Sequence, residues 1–414
     1  MGNSSLTSST GIRTGVQHAR AVAPLLVLGG LRGRTTGAEP ELDADLARLA
    51  GAAYADVARL AGQSLVLAHD TRAGGQELSR AVADGARSRG AHVVDMGLAS
   101  LDHLAFDAGL LEVHGVHVGA PGGDEQSNGL TFLLPDATPA DPATTAVVVE
   151  RIEQFLADGL VELEPRGSLG ADDTLADYAR QLRDLAPVAA EGLLVVVGAA
   201  GPLSPALVEA VLVTVGVALV RTDGPGVDQV RGAVLQHGAR AGLVLDDDAS
   251  RCTVLDEHGR VVEATTVATL LERHLPEGQA PQLGEDGLAR FADHYLAPSG
   301  LLLARRVLAL LAGQTQPLSV LVAEARGLQC QVLDLAVSDP QAAIGAVRQG
   351  FQHHHVTSST GDELLLSGQA GRRGDYRIGL RAHEAAVQVL VEASDTEVMA
   401  ALREDLREIV ARVA

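Results

Sequence analysis

Short apolar runs of strand length alternate with stretches whose apolar residues recur at helical spacing, and this rhythm covers most of the chain. Leu65-Val66-Leu67-Ala68 is such a run. Ahead of it Leu46, Leu49, Ala53, Val57 and Leu60 share a helical face, and after it Leu78 to Arg87 reads as an amphipathic helix that stops near Gly90. Val93-Val94 and Val116-His117-Val118 are the next strands. The pattern returns with a strand at Leu193 to Val197, a turn, a helix from Ala206, and strands at Ala218 to Val220 and Gly242 to Leu245. A βαβ rhythm of this kind implies sheets with a parallel core, covered by helices. The fold class expected is therefore α/β and multi-domain, with mixed sheets covered by helices. A C-terminal α+β unit closes the chain, with strand Ala386 to Val391 and a helix bearing Val398, Leu402, Leu406, Ile409 and Val413 on one face.

Charge and cysteine content narrow the partners. The 414-residue chain carries a formal charge of -21, a field that repels a phosphate backbone, so no nucleic acid is expected. A small phosphorylated ligand is compatible, since it needs only a few local donors. Two cysteines, Cys252 and Cys330, give neither a disulfide framework nor a cysteine-rich metal site, which points to the cytoplasm. No membrane association is expected. Ala21 to Leu31 is too short to span a bilayer, and Leu301 to Leu311 is interrupted by Arg305 and Arg306, so it reads as a buried helix. Residues 1–20, rich in Ser, Thr and Gly, read as a disordered leader.

Several stretches in chain order carry a resemblance. They are Gly30-Leu31-Arg32-Gly33, Val66-Leu-Ala-His-Asp-Thr-Arg72, Asn128-Gly129, and Leu243-Val-Leu-Asp-Asp-Asp-Ala-Ser-Arg251 with its continuation to Gly259. Further on come Gly284-Glu285, Phe291 to Gly300, and Val391-Glu392-Ala393. Together they resemble the α-D-phosphohexomutases, the phosphomannomutase and phosphoglucomutase superfamily. The resemblance implies four domains, expected at 21–165, 166–263, a shortened third at 264–337, and 338–414. It also implies interconversion of hexose 1- and 6-phosphates through a phosphoserine, a divalent cation, a lysine or arginine acid/base, and loops holding the sugar and its far phosphate.

Set against that pattern, the chemistry-bearing positions have changed. The nucleophile loop Thr-Ala-Ser-His-Asn-Pro reads Gly119-Ala120-Pro121-Gly122-Gly123-Asp124, with proline at the serine position. Proline has neither a hydroxyl to phosphorylate nor an N–H to donate. Ser127 and Asp124 are the nearby substitutes. Asn-Gly-x-Lys reads Asn128-Gly129-Leu130-Thr131, so the titrating amine is gone. The metal loop keeps Asp246 and Asp248 but places Ser250 where a third Asp belongs, which leaves Mg2+ possible but weakened. In the sugar loop Glu285 remains while the Ser and His do not, and the phosphate loop Arg-Pro-Ser-Asn-Thr-Glu-Pro reads Gly379 to Ala385. Arg32, Arg72, Arg251, Glu285 and Arg381 are the substrate-binding candidates, with Arg377 and His383 beside the last. His353-His354-His355 reads as a surface turn rather than a zinc site.

Scaffold stretches stay recognisable while catalytic positions change. The expectation is a pseudoenzyme of this family that binds a phosphosugar, a protein partner or a second copy of itself, as a homodimer. The alternatives are a divergent but active hexose-phosphate mutase, and a decaying paralogue with no ligand.

Overall fold

The computed structural model describes residues 22–37, 39–120, 126–199, 204–222, 226–352, 355–359, 363–369, 375–383 and 385–413. The expected leader, Pro121 and the His353-His354 pair lie outside the described residues.

The first unit is a seven-stranded mixed sheet in the order β1-β2-β6-β5-β3-β4-β7. Its strands are β1 (Leu26–Val27), β2 (Gly30–Arg34), β3 (Ser64–His69), β4 (His92–Leu98), β5 (His114–Val118), β6 (Ser127–Leu133) and β7 (Leu169–Ala171). β3 runs parallel to β4 and β5, whereas β2, β5 and β6 pair antiparallel. The unbroken apolar run in β3 reflects burial on both faces. Leu65 and Leu67 meet α1 (Ala44–Val57), α2 (Gly75–Ser88) and α4 (Pro142–Asp158). Val66 and Ala68, alternating with them, meet α3 (Leu101–Leu111). Asp43, Ser100 and Asp141 cap α1, α3 and α4 by accepting backbone N–H groups. α1 and α2 cross in backbone contact. A Cβ on Gly51 would lie 2.3 Å from the Val82 carbonyl oxygen, and one on Gly85 1.9 Å from that of Arg48.

The second unit holds a five-stranded sheet in the order β12-β11-β10-β8-β9. These strands are β8 (Leu193–Ala199), β9 (Val217–Thr222), β10 (Ala241–Leu245), β11 (Cys252–Asp256) and β12 (Val261–Val262). One face packs on α7 (Val227–His237). The other face shares a core with α5 (Leu175–Leu185), α6 (Ser204–Val211), α8 (Ala264–His274), α9 (Gly300–Gly313) and α10 (Leu318–Ala325). The stretches read from the sequence as a second and a shortened third domain thus pack around one core here. Of the other strands in these stretches, β13 (Gln282–Leu283) and β14 (Ala289–Arg290) form a short ribbon, while Leu169–Ala171 joins the first sheet and Gln329–Ala336 the last.

The last unit is an antiparallel sheet in the order β15-β19-β18-β17-β16, backed by α11 (Pro340–Gly350) and α12 (Thr396–Ala411). Its strands are β15 (Gln329–Ala336), β16 (His355–Ser359), β17 (Glu363–Gln369), β18 (Asp375–His383) and β19 (Ala386–Ala393). Among the described residues no single helix is long and apolar enough to cross a membrane. The α9–α10 pair reaches that length only with a bend of 104°.

The two arginines inside the apolar helix α9 are both buried. Arg305 donates from Nε to the Ala186 carbonyl at 2.9 Å and from a terminal nitrogen to that of Val211 at 2.7 Å. Those carbonyls end α5 and α6, where helices leave oxygens without internal partners. Burial, with nearby Arg183, lowers the Arg305 pKa to about 10, so it stays charged at neutral pH. Arg306 pairs with Asp293 and lies over the Phe291 ring at 4.5 Å. Replacing Arg305 with Met keeps the length but strands both carbonyls. The expected loss is about 3 kcal/mol in urea unfolding, and a loss below about 1 kcal/mol would show that the carbonyls find other donors.

Candidate functional site

A cleft of about 520 Å³ opens between the edge of the first sheet and the 284–298 stretch. Arg32, Thr131 and Glu285, all singled out in the sequence, line it together. β2 and β6 bring the first two side by side, with Arg32 opposite Gly129 and Thr131 opposite Gly30 in the ladder. The facing wall carries Glu285, Leu296 and Pro298. Arg290 also lines the cleft, held by Asp286 at 2.7 Å. Sequence reasoning missed it because no motif marks it.

Arg72 turns inward. It donates to the Ser127 carbonyl at 3.1 Å and lies 3.4 Å from the Asp70 carboxylate. Asp70 is buried, and it also accepts the backbone N–H groups of Arg72 at 3.0 Å and Ala120 at 3.3 Å. Burial raises its pKa; His117 opposes that rise and Asp248 adds to it, so the second unit's acidic loop faces this pair. His117 is wholly buried, with Nε2 at 3.1 Å from the Ala99 carbonyl and Nδ1 without a partner among the described residues. Gly119, at the position of the family's Thr, has no room for a side chain. A Cβ there would lie 2.5 Å from both Asp70 Oδ2 and the His117 ring.

The acidic loop is closed on itself. Asp246 accepts the Arg251 N–H at 2.9 Å and the Ser250 hydroxyl at 3.1 Å, while Asp248 accepts the Ser250 N–H at 2.9 Å. Ala249 supplies the tight bend with a left-handed backbone, φ 58°. Burial, reinforced by Asp248, raises the Asp246 pKa to about 7. A magnesium ion asks for several oxygens offered as acceptors. Here the third position is a hydroxyl that donates to Asp246, and no group of three or more metal-ligating side chains is arranged for an ion among the described residues. Asp246 and Asp248 keep lone pairs that an ion could use, but the loop is one carboxylate short. Arg251 reaches across to the Asp286 carbonyl at 3.4 Å, behind the wall that carries Glu285.

Arg381 lies elsewhere. The stretch aligned with the phosphate loop is part of a hairpin in which Gly379 pairs with Leu390, Arg381 with Gln388 and His383 with Ala386. Arg381 donates to the His258 carbonyl at 3.1 Å, at the joint of the second and last units. The structure thus brings Arg32, Thr131 and Glu285 to one cleft, sets Arg72 and Arg251 into its supporting walls, and takes Arg381 to another pocket.

Comparison with known proteins agrees with this architecture. Residues 28–157 match the family model described as phosphoglucomutase/phosphomannomutase, alpha/beta/alpha domain I. The phosphoglucosamine mutase of Rhodococcus opacus is 26% identical over 456 residues, spanning 93% of this chain and 98% of that protein. The phosphoglucosamine mutase of Rhodococcus jostii is 31% identical over 265 residues, 58% of either chain. Among solved structures, a phosphoglucomutase/phosphomannomutase family protein from Burkholderia thailandensis aligns with a TM-score of 0.56 at 20% identity, covering 93% of this chain and 96% of that one. A putative phosphomannomutase from Thermus thermophilus gives 0.56 at 17%, over 92% and 98% of the two chains. These two structures share the fold.

Replacing Ser250 with Asp removes the hydroxyl that occupies Asp246 and adds a third carboxylate. Thermal unfolding of the variant should gain a Mg2+-dependent rise of about 2 °C at about 5 mM that the parent lacks. An equal response of parent and variant would contradict the closed-loop reading.

Proposed function

The chain belongs to the α-D-phosphohexomutase superfamily, and we propose that it binds a phosphosugar without transferring its phosphoryl group. One observation carries the reading: residue 121, at the position of the phosphoserine, is proline. A ring imino acid offers no oxygen for a covalent phosphate and no N–H to hold one. The remaining chemistry points the same way. Phosphoryl transfer rests on positioning, a cation and an acid/base group. Thr131 cannot shuttle a proton near neutral pH. Asp246 and Asp248 accept hydrogen bonds from their own loop, and residues 379–383, aligned with the start of the phosphate loop, are paired in the β18–β19 ladder.

What is retained suits recognition. Arg32 offers a guanidinium to a phosphate, and Glu285 an acceptor for sugar hydroxyls. The relatives' name, phosphoglucosamine mutase, makes an aminohexose phosphate the first ligand to test, ahead of glucose and mannose phosphates. The cytoplasm is the compartment we assign, in keeping with two cysteines that are both free thiols.

A coupled mutase assay on glucosamine 6-phosphate, glucose 1-phosphate and mannose 1-phosphate, with Mg2+ and a bisphosphate activator, should give no turnover above background. Mass spectrometry of the 119–128 peptide should find no phosphate. The same sugars at about 5 mM should raise the unfolding temperature by about 2–4 °C, and Arg32→Ala should abolish that rise. Turnover would overturn the loss of catalysis. No shift with any sugar would overturn phosphosugar binding and turn attention to a protein partner or a second copy of the chain.

A further inference from the structure

A pocket of about 210 Å³ lies where the β11–β12 turn and α7 meet the C-terminal sheet, and it shares no lining residue with the cleft. In a chain of net charge -21, the described side chains of its lining include Arg231, Arg260, Arg381 and His258 and no Asp or Glu. The arginines are held in place from behind. Arg260 forks onto the buried Asp256 at 2.5 and 2.8 Å. Arg231 donates to the Gly259 carbonyl at 2.9 Å and also pairs with Asp228, whose side chain is 89% exposed. A pair with so exposed a carboxylate is weak and yields to a better-placed anion. Burial opposes charge on His258, but the adjoining Glu257 carboxylate outweighs it and raises the pKa.

The other side of the pocket is apolar. β-sheet alternation sends Leu364 and Ile378 toward α11 and α12, and Leu365, Gly379 and Arg381 toward the second unit. Leu365, Leu390 and Val261 form the greasy wall, and the missing side chain of Gly379 helps to leave the hollow. A guanidinium rim over an aliphatic wall matches a ligand with the same two halves.

We propose that this pocket binds a small organic anion, with a phosphate or carboxylate head on Arg231 and Arg381 and an aliphatic body against Leu365 and Leu390. The site is independent of the cleft. Because it bridges two units, its ligand ties the C-terminal sheet to the second unit.

Calorimetric titration of the full chain with hexanoate, hexyl phosphate, inorganic phosphate and hexan-1-ol tests this. The two amphiphilic anions should bind saturably, hexan-1-ol should not, and the tighter head group identifies the anion class. Arg231→Gln and Arg381→Gln should each weaken binding about tenfold. Gly379→Val tests the cavity without breaking the fold, since the nearest atoms to a Cβ there belong to Arg260 and Leu365 at 3.7 and 3.8 Å, ordinary contact distances. It should abolish binding while the unfolding temperature stays within about 2 °C of the parent. Absence of saturable binding by both anions up to about 10 mM, or affinities indifferent to all three substitutions, would overturn the proposal.

Discussion

Asp102 sits buried in the first turn of α3, and its two carboxylate oxygens face different parts of the chain. One accepts the Tyr178 hydroxyl at 2.5 Å from α5, and the other lies 2.9 Å from His294 Nε2 in the stretch that walls the cleft. A buried carboxylate is costly unless its hydrogen bonds are made, and they are made only when all three segments are docked. The first unit, the second unit and the 284–298 wall are therefore fixed together. Burial and this carboxylate both keep the Tyr178 hydroxyl protonated, so it remains a donor. His103 stacks on the same tyrosine at 4.6 Å and extends the joint toward Thr174. The cleft owes its shape to this contact, whatever occupies it.

Around that joint, groups that would meet substrate or cation meet each other. His117 fills the space a side chain at residue 119 would need, the Ser250 hydroxyl satisfies Asp246, and Arg72 serves Asp70 and a backbone carbonyl. An unpaired buried polar atom costs about 1–3 kcal/mol, so buried carboxylates are stable where the fold itself supplies their donors. The contacts of Asp246, Asp248 and Asp70 have that character.

The fold was largely legible in the sequence because its cues are local. Two-sided burial gives the Leu65 to Ala68 run, and Asp43, Ser100 and Asp141 mark helix starts by their own side-chain chemistry. The cleft was legible in part. Arg32, Thr131 and Glu285 belong to motifs whose spacing survives, whereas Arg290 belongs to none. Arg381 was read as a ligand for the cleft because alignment places it in a loop. Its true neighbours are set by hairpin register, which pairs it with Gln388, and by docking of two units, which brings His258 to it. The shared core of the second and third stretches was equally hidden. Nothing local states that Leu301 and Leu308 of α9 will pack beneath Leu243 and Leu245 of β10 rather than within a domain of their own.

The buried arginines of α9 show why that merger is possible. A helix that would otherwise sit between domains must end its neighbours' backbones somewhere, and Arg305 does this by donating to the last carbonyls of α5 and α6. A charge with no salt bridge among the described residues is tolerated because Asp184 lies nearby and aligned carbonyl dipoles at helix C-termini favour a cation. Arg306, beside it, anchors the Phe291 to Asp293 stretch that leads into His294. The core helix thus reaches by packing to the clasp at Asp102, so residues far from the cleft hold its wall in place. The clasp of α3, α5 and the 284–298 stretch lies outside the 246–251 loop and the β18–β19 hairpin, so the cleft keeps its shape whatever chemistry those segments carry.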